Sequence, residues 1–295
     1  VILVVGSTGR VGGQIARGLL DRGRQVRILV RPGSAFQTLV DAGAQPAFAD
    51  LKDPGSLHAA CRGSKIIVTT ASAGERGGDD TPLSVDLHGN RNLIDAARTA
   101  GVGQFVFVSA LIATEDHPVP LVRAKAQTER YLRDSGLPYT ILASNGLMDV
   151  MFPLVIGSPL ASECPVTLVG QGTRRHSWVA ARDLAGFAVA AADNAAAIGR
   201  RIPIGGPEAI SWRDVVATYA RVLQRQIAIQ SVAPGTLLPN LPPIPGLREF
   251  LSALMAALET FDTPVDMTET ARTFSVPMTS VEDFARGGTA LRPTR

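Results

Sequence analysis

Lysine is nearly absent from this chain. Of its 29 basic residues only Lys52, Lys65 and Lys125 are lysines, so an ammonium in so arginine-biased a sequence invites an explanation. Cysteine is scarcer still: Cys61 and Cys164 are too few for a disulfide framework and lack metal-ligand spacing. Four widely separated histidines argue against a zinc site. Aromatic residues make up 5%, the net charge is only +3, and no basic run is interleaved with aromatics, which argues against nucleic-acid binding. No apolar run approaches the roughly 18 residues of a membrane span; FVFVSALIA is the nearest attempt. The chain opens directly on an apolar stretch with no basic n-region of a signal peptide, as expected of a chain trimmed upstream. Together these absences lead to the expectation of a reduced, cytoplasmic protein.

What is present is a globular composition, 45% hydrophobic and 19% charged over 295 residues, enough for one large domain or two unequal ones. VILVV (1–5), QVRILV (25–30), QPAFAD (45–50), KIIVTTAS (65–72) and QFVFVSA (104–110) read as strands. Their near-continuous apolar character is that of parallel strands covered on both faces. Helix-periodic segments such as GGQIARGLLDRG and NRNLIDAARTAG lie between them, each closing on a glycine suited to a helix C-cap. A further helix over 121–135 leads through Pro138 into YTILAS, with more strands expected at 166–169 and 201–205 around a helix capped by Asp183. The alternation predicts right-handed βαβ units and a doubly wound α/β parallel sheet. Past 207 it loosens: LLPNLPPIPG (237–246) cannot be helix interior or central strand, a hydrophobic helix follows at 247–260, and Thr279 with Glu282 has capping-box spacing. The expected division is a Rossmann domain over 1–206, with 147–165 contributing to a cap, and a smaller C-terminal substrate or cap region over 207–295.

The first strand runs into GSTGRVG, so that Gly6, Ser7, Thr8, Gly9, Arg10, Val11 and Gly12 form a loop between strand and helix. Gly6 permits the tight turn, Gly9 lets backbone amides approach a pyrophosphate, and Gly12 lets the helix pack on the sheet. The helix N-terminus then presents unpaired N–H groups to phosphate. The second strand ends in LVRP, placing Arg31 where an NAD-preferring site holds an acid. A guanidinium there suits a 2′-phosphate, with Arg10 and Ser34 adding donors, so NADP(H) is the expected cofactor. Asp50 and Leu51 of ADLKD are placed to reach the adenine, and Thr69, Thr70 and Ala71 close the fourth strand near the diphosphate and ribose.

Ser109 ends the fifth strand at the carboxyl edge of the sheet, and Lys125 follows 16 residues later. With GSTGRVG, LVRP, ADL, VSA, AKAQTERYLRDSGLPYTIL, NGLM and VAARDLAG, this arrangement resembles the atypical, NmrA-like branch of the short-chain dehydrogenase/reductase superfamily over essentially the whole chain. That branch includes quinone reductases, isoflavone and related reductases, NADPH-sensing regulators and photosystem-assembly proteins. In the wider superfamily a Tyr-x-x-x-Lys pair does the chemistry, the lysine holding the nicotinamide ribose and lowering the tyrosine's pKa. Here the residue four before Lys125 is Leu121, and Tyr131, Tyr139 and Tyr219 do not obviously replace the tyrosine. The resemblance therefore implies Lys125 as a ribose ligand, with Lys125, Ser109 and His117 of the EDHP loop as candidates for the catalytic role. Asn145 and Met148 resemble the family's substrate-side turn, and His176 joins them as a weaker candidate. The expected activity is reduction of a small hydrophobic carbonyl, quinone or activated alkene. The alternative is a non-catalytic NADP(H)-binding sensor or assembly factor with a protein partner, and a sugar-nucleotide epimerase suffers more from the missing tyrosine. An oligomer is compatible with either reading.

Overall fold

The computed structural model describes residues 1–74 and 79–288. Seven strands form the main sheet: β1 (Ile2–Val5), β2 (Val26–Val30), β3 (Gln45–Phe48), β4 (Ile66–Thr69), β5 (Gln104–Ala110), β6 (Tyr139–Ser144) and, later in the chain, the strand Arg200–Ile204. Their order is β3-β2-β1-β4-β5-β6 with Arg200–Ile204 outermost, and the β1–β2, β1–β4, β2–β3 and β4–β5 ladders are parallel. This is the expected doubly wound α/β sheet, with its order reversing between β1 and β4, where ligands bind in such folds. The intervening helices are α1 (Arg10–Asp21), α2 (Gln37–Asp41), α3 (Pro54–Cys61), α4 (Asn90–Thr99) and α5 (Pro120–Asp134).

All four residues of β1 are buried, because helices cover both faces of the strand, and that is why it reads as an unbroken apolar run. In α1 the apolar residues recur as Val11, Ile15 and Leu19, one buried stripe, while Arg17 faces solvent. One core face is built from Leu3, Ile67, Phe105 and Ile141 of the strands with Leu57, Leu93 and Ile94 of the helices. The end of β5 is tied down by a polar network. Buried Glu129 accepts from Arg133 at 2.6 Å and Arg201 at 2.9 Å, and Arg201 also donates to the carbonyls of Ala110 and Leu111 at 3.1 Å each. The backbone immediately after Ser109 is thereby fixed.

The chain falls into two compact units, and neither is continuous. The first comprises Val1–Ala143, Arg182–Pro203 and Phe274–Val276; the second comprises Ser144–Ala181, Ile204–Thr273 and the described residues from Pro277. A single boundary near 206 therefore does not describe the division. The segment Val166–Val169 pairs in parallel with Ile229–Val232, and Arg175–His176 pairs with Ile210–Ser211, so 166–181 goes with the second unit. That unit has its own aromatic core of Phe152, Trp178, Trp212, Tyr219 and Phe284, with the two indole rings 4.6 Å apart.

Two capping expectations shift. The helix Val281–Arg286 is capped by Ser280, whose hydroxyl accepts from the Asp283 N–H at 3.0 Å, one residue along from the Thr279/Glu282 pair. Asp183 sits in the first turn of the helix Ala181–Ala192, not at its cap. Its carboxylate suits the positive end of that helix, which is why an acid near a helix start is easily misread as the cap. Among the described residues no helix is long and apolar enough to cross a membrane.

Candidate functional site

The turn from β1 to α1 is built on backbone. Gly6 has φ +82°, and the Gly9 N–H donates to the Gly6 carbonyl at 3.0 Å before the helix starts at Arg10. Thr8, Gly9 and Arg10 are exposed, whereas Ser7, Val11 and Gly12 are buried, with the Ser7 hydroxyl directed to the Leu29 carbonyl at 3.4 Å. A Cβ on Gly12 would lie 2.2 Å from the Gly6 carbonyl oxygen and 2.8 Å from Thr70 Oγ1. No side chain fits between helix and turn, so the helix N-terminus presents its amides on bare backbone. This is the cradle that a pyrophosphate requires. No acidic residue lies in the first turn of α1 to compete for it.

Beside the cradle, Gly6, Thr8, Arg31, Ser34, Asp50, Leu51 and Ala71 line one pocket. The geometry thus brings together most of the expected cofactor residues. The Asp50 carboxylate accepts from the Lys52 N–H at 2.8 Å, shaping the turn after β3, and Leu51 packs into the core. Thr69 is fully buried and donates to Asn90 at 3.2 Å, and Thr70 lies beneath the glycine turn. The loop also delivers an acid with no counterpart in the sequence reading. Asp80 lines the pocket, and its carboxylate accepts from Arg31 at 2.8 Å and from Lys52 at 2.7 Å.

At the other end, Lys125 projects from α5 toward the end of β5. Its Nζ donates to the Val108 carbonyl at 3.1 Å and lies 3.6 Å from Asp86 Oδ1. Asp86 is fully buried on the π-helical segment Pro82–Gly89 that leads into α4; its Oδ2 accepts from the Ala73 N–H at 2.9 Å. Burial drives the Asp86 carboxyl up, and the Lys125 charge, the Ala73 amide and Ser72 only partly restrain it. Oδ1 of Asp86 and the hydroxyl of Ser109 are both buried without a hydrogen-bond partner among the described residues. Buried polar atoms are normally satisfied, so an unpartnered Asp86 oxygen 3.6 Å from the Lys125 ammonium marks a site organised for something further. The cradle, the adenosine-side pocket and this polar end fit a dinucleotide: Gly6, Gly9 and Gly12 would hold the pyrophosphate, Arg31 and Ser34 the 2′ side, and Lys125 the nicotinamide ribose.

His117 has a different occupation. It is 7% exposed, and its Nδ1 accepts the Val119 N–H at 3.1 Å, capping the start of α5, while its own carbonyl accepts from Arg123 at 2.7 Å. Burial lowers its pKa, against a smaller opposing effect of Asp116. An imidazole whose Nδ1 already accepts from the Val119 N–H, and whose proton affinity burial lowers, is poorly placed as the acid. The tyrosines lie elsewhere: the Tyr131 hydroxyl donates to Asp95 at 3.0 Å, Tyr139 packs against the core of the sheet, and Tyr219 is buried in the aromatic core of the second unit.

The three substrate-side residues all lie in the second unit and are all buried. The Asn145 amide donates to the Thr263 carbonyl at 2.9 Å and to Thr263 Oγ1 at 3.0 Å, while its oxygen accepts from the Gly146 N–H. His176 Nδ1 lies 2.8 Å from the same Thr263 hydroxyl, and Met148 is fully enclosed. A substrate would have to break these bonds to reach them. The packing makes Asn145 and His176 interior polar struts and encloses Met148. Burial depresses His176 to a pKa of about 4, with Asp262 opposing weakly. The unfolded chain therefore binds a proton that the folded one refuses between pH 6.5 and 4. The associated stability is complete above pH 6.5 and is lost as the pH falls through that window, on the order of 2–3 kcal/mol. His176→Asn should flatten the acid limb of a Tm-versus-pH curve; an unchanged limb would assign acid sensitivity to other groups.

A family model described as NAD(P)H-binding matches residues 6–195. Over 141 residues the chain is 43% identical to photosystem II assembly factor Ycf39 of Cyanophora paradoxa, a match that spans 48% of this chain and 43% of that protein. NAD(P)H azoreductase of Xenophilus azovorans is 31% identical over 231 residues, covering 77% of this chain and 75% of that one. Among solved structures, the NADPH-dependent quinone oxidoreductase QOR2 of Escherichia coli, complexed with NADPH, aligns with a TM-score of 0.82 at 22% identity over 97% of this chain and 99% of that one. At that identity the likeness speaks to the fold.

Proposed function

This chain belongs to the NAD(P)H-binding family, within the NmrA-like branch of the short-chain dehydrogenase/reductase superfamily, and from that premise we propose that it is an NADPH-dependent oxidoreductase reducing a small hydrophobic quinone, carbonyl or activated alkene. The observation that carries the reading is the pairing of Lys125 with the buried Asp86, 3.6 Å apart, and with the carbonyl of Val108, the residue before the buried, unpartnered Ser109. A surface lysine would not be held by a carbonyl and a carboxylate inside the fold. Likeness to an azoreductase supports the same reaction class.

A bound nicotinamide supplies hydride; the protein supplies orientation and the proton. Lys125 holds the ribose and, in the absence of a tyrosine at Leu121, is the acid nearest the reacting end. Asp86 keeps its ammonium aimed. Ser109 Oγ is available to donate to a substrate oxygen. Arg31 provides the preference for NADPH through its charge-assisted contact with phosphate.

Leu121 and the committed state of His117 favour a second reading, a non-catalytic cofactor-dependent assembly or sensor protein, which the likeness to Ycf39 also supports. Stopped NADPH oxidation assays with a panel of quinones, azo dyes and enones separate the two. Turnover that falls at least tenfold in Ser109→Ala while NADPH binding holds is the expected result. Tight NADPH binding with no acceptor reduced would move the protein to the second reading.

A further inference from the structure

The carboxylate of Asp80 straddles two cations that come from different strand ends. Arg31 follows β2 and Lys52 follows β3, yet their nitrogens reach opposite oxygens of one carboxylate, at 2.8 Å and 2.7 Å. The Asp80 side chain is only 7% exposed, whereas Arg31 and Lys52 are 34% and 38% exposed. The anion lies inside and the cations surround it. Arg31 and Asp80 both line the pocket that also holds Gly6, Ser34 and Leu51, and Lys52 reaches it through Asp80. Burial pushes the Asp80 carboxyl up, but its bonds to Lys52 and Arg31 outweigh this and hold it below the usual carboxylate range; the Lys52 ammonium is raised in return.

Two positive groups converging on one point repel each other unless an anion sits between them. In the structure that anion is a side chain. A phosphate monoester satisfies the same two donors with more oxygens and more charge, and it can do so only if the carboxylate withdraws, because two anions in one place repel. A ribose 2′-hydroxyl is different: it can donate to a resident carboxylate, which is how NAD-preferring sites use an acid.

Resting on the reading of Arg31 as a 2′-phosphate ligand, we propose that Lys52 is the second cation of that subsite and that Asp80 is its internal competitor, a specificity-determining pair that admits NADH and restrains the preference for NADPH. Asp80 comes from a loop remote in sequence from the strand end where such an acid normally lies, so it acts across the pocket rather than in place of Arg31.

Direct titration of NADPH and NADH into the full chain, by nicotinamide fluorescence and calorimetry, tests this without any turnover. Asp80→Asn should tighten NADPH about tenfold and leave NADH unchanged or weaker. Lys52→Met should weaken NADPH about tenfold and leave NADH within about twofold, as expected for a lost charge-assisted contact. Asp80→Ser repeats the first measurement should the asparagine variant fold poorly. An Asp80 variant that binds NADPH no better than wild type would overturn the competitor, and Asp80 would then be a strut that positions Arg31. A Lys52 variant that loses both cofactors equally, or neither, would overturn the second cation. The NADPH preference of the proposed function fails separately, if Arg31→Ala leaves the ratio of the two affinities unchanged.

Discussion

Gly12→Ala should deprive the protein of its cofactor and of part of its stability in one step. The added methyl would meet the Gly6 carbonyl oxygen at 2.2 Å and the Gly6 carbonyl carbon at 2.6 Å, both backbone atoms of the turn itself. Neither can rotate away as a flexible side chain would. Helix α1 must then move off the turn by about an ångström, and overpacking of this kind costs on the order of 1–3 kcal/mol. The same movement misdirects the amides at Gly9 and beyond, so NADPH affinity should fall by more than about a hundredfold, since phosphate recognition by backbone depends on their position. Gly9→Val is the matching control. At Gly9 a Cβ would lie 3.2 Å from the Gly6 oxygen, a much lesser conflict, and the residue is exposed. This variant should keep its Tm within a few degrees but lose NADPH, because its side chain enters the space the ligand needs. Thermal melts with and without NADPH distinguish the two effects. Normal affinity in both variants would show that the loop does not cradle phosphate.

Lys125→Met should have the largest effect at the polar end, and its signature is a pH dependence steeper than that of the wild type. Removing the ammonium strands Asp86 in the interior with the Ala73 amide and Ser72 but no cation at 3.6 Å. Breaking a buried pair by deleting one partner costs roughly 3–5 kcal/mol where the remaining charge persists. Asp86 escapes part of this by holding a proton. Burial already raises its folded pKa above the ordinary 3.8, and losing Lys125 removes the largest restraint. A carboxyl with a raised folded pKa stabilises the fold below its unfolded value and loses that contribution as the pH rises through the folded one. The variant should therefore melt near wild type around pH 4–5 and progressively earlier toward neutrality. Adding Asp86→Asn should restore neutral-pH stability without restoring NADPH binding, which is expected to drop about ten- to a hundredfold with the ribose ligand gone. Turnover should fall further than binding even at saturating NADPH if the ammonium is the acid. Unchanged binding and stability would make Lys125 an ordinary helix lysine.

Most of the sheet was legible because its strands are covered on both faces, and that coverage writes itself into the sequence as VILVV, KIIVT and QFVFV. The glycine loop was legible for a related reason: Gly12 has no room for a side chain, and Gly6 needs a positive φ. The charged partners were not. Asp80 and Arg31 lie 49 residues apart, and Asp86 and Lys125 meet only because the π-helical segment before α4 packs on α5. Nothing local distinguishes such an aspartate from a solvated one. The cap before Val281 was misplaced by one residue because Thr279/Glu282 and Ser280/Asp283 carry the same spacing, and only backbone geometry chooses between them. Asn145 and His176 were expected on the substrate side from the resemblance of the segments around them, whereas one threonine, Thr263, binds both of them inside the second unit.

The interruption of the first unit has a consequence for how the protein is made. A ribosome releases β1 to β6 in one stretch, but the strand that covers the outer edge of β6, Arg200–Ile204, emerges only after Ser144–Ala181 and the helix that follows. Until then β6 presents an open ladder, the kind of edge that recruits another nascent chain. Even the strand's arrival does not finish the unit, because Phe274 packs against Phe187, and Val276 against Gly186, from near the opposite end of the sequence. Synthesis must run past residue 276 before the sheet domain is closed, so premature termination anywhere before it leaves a sticky, unfinished fold rather than a working nucleotide-binding half.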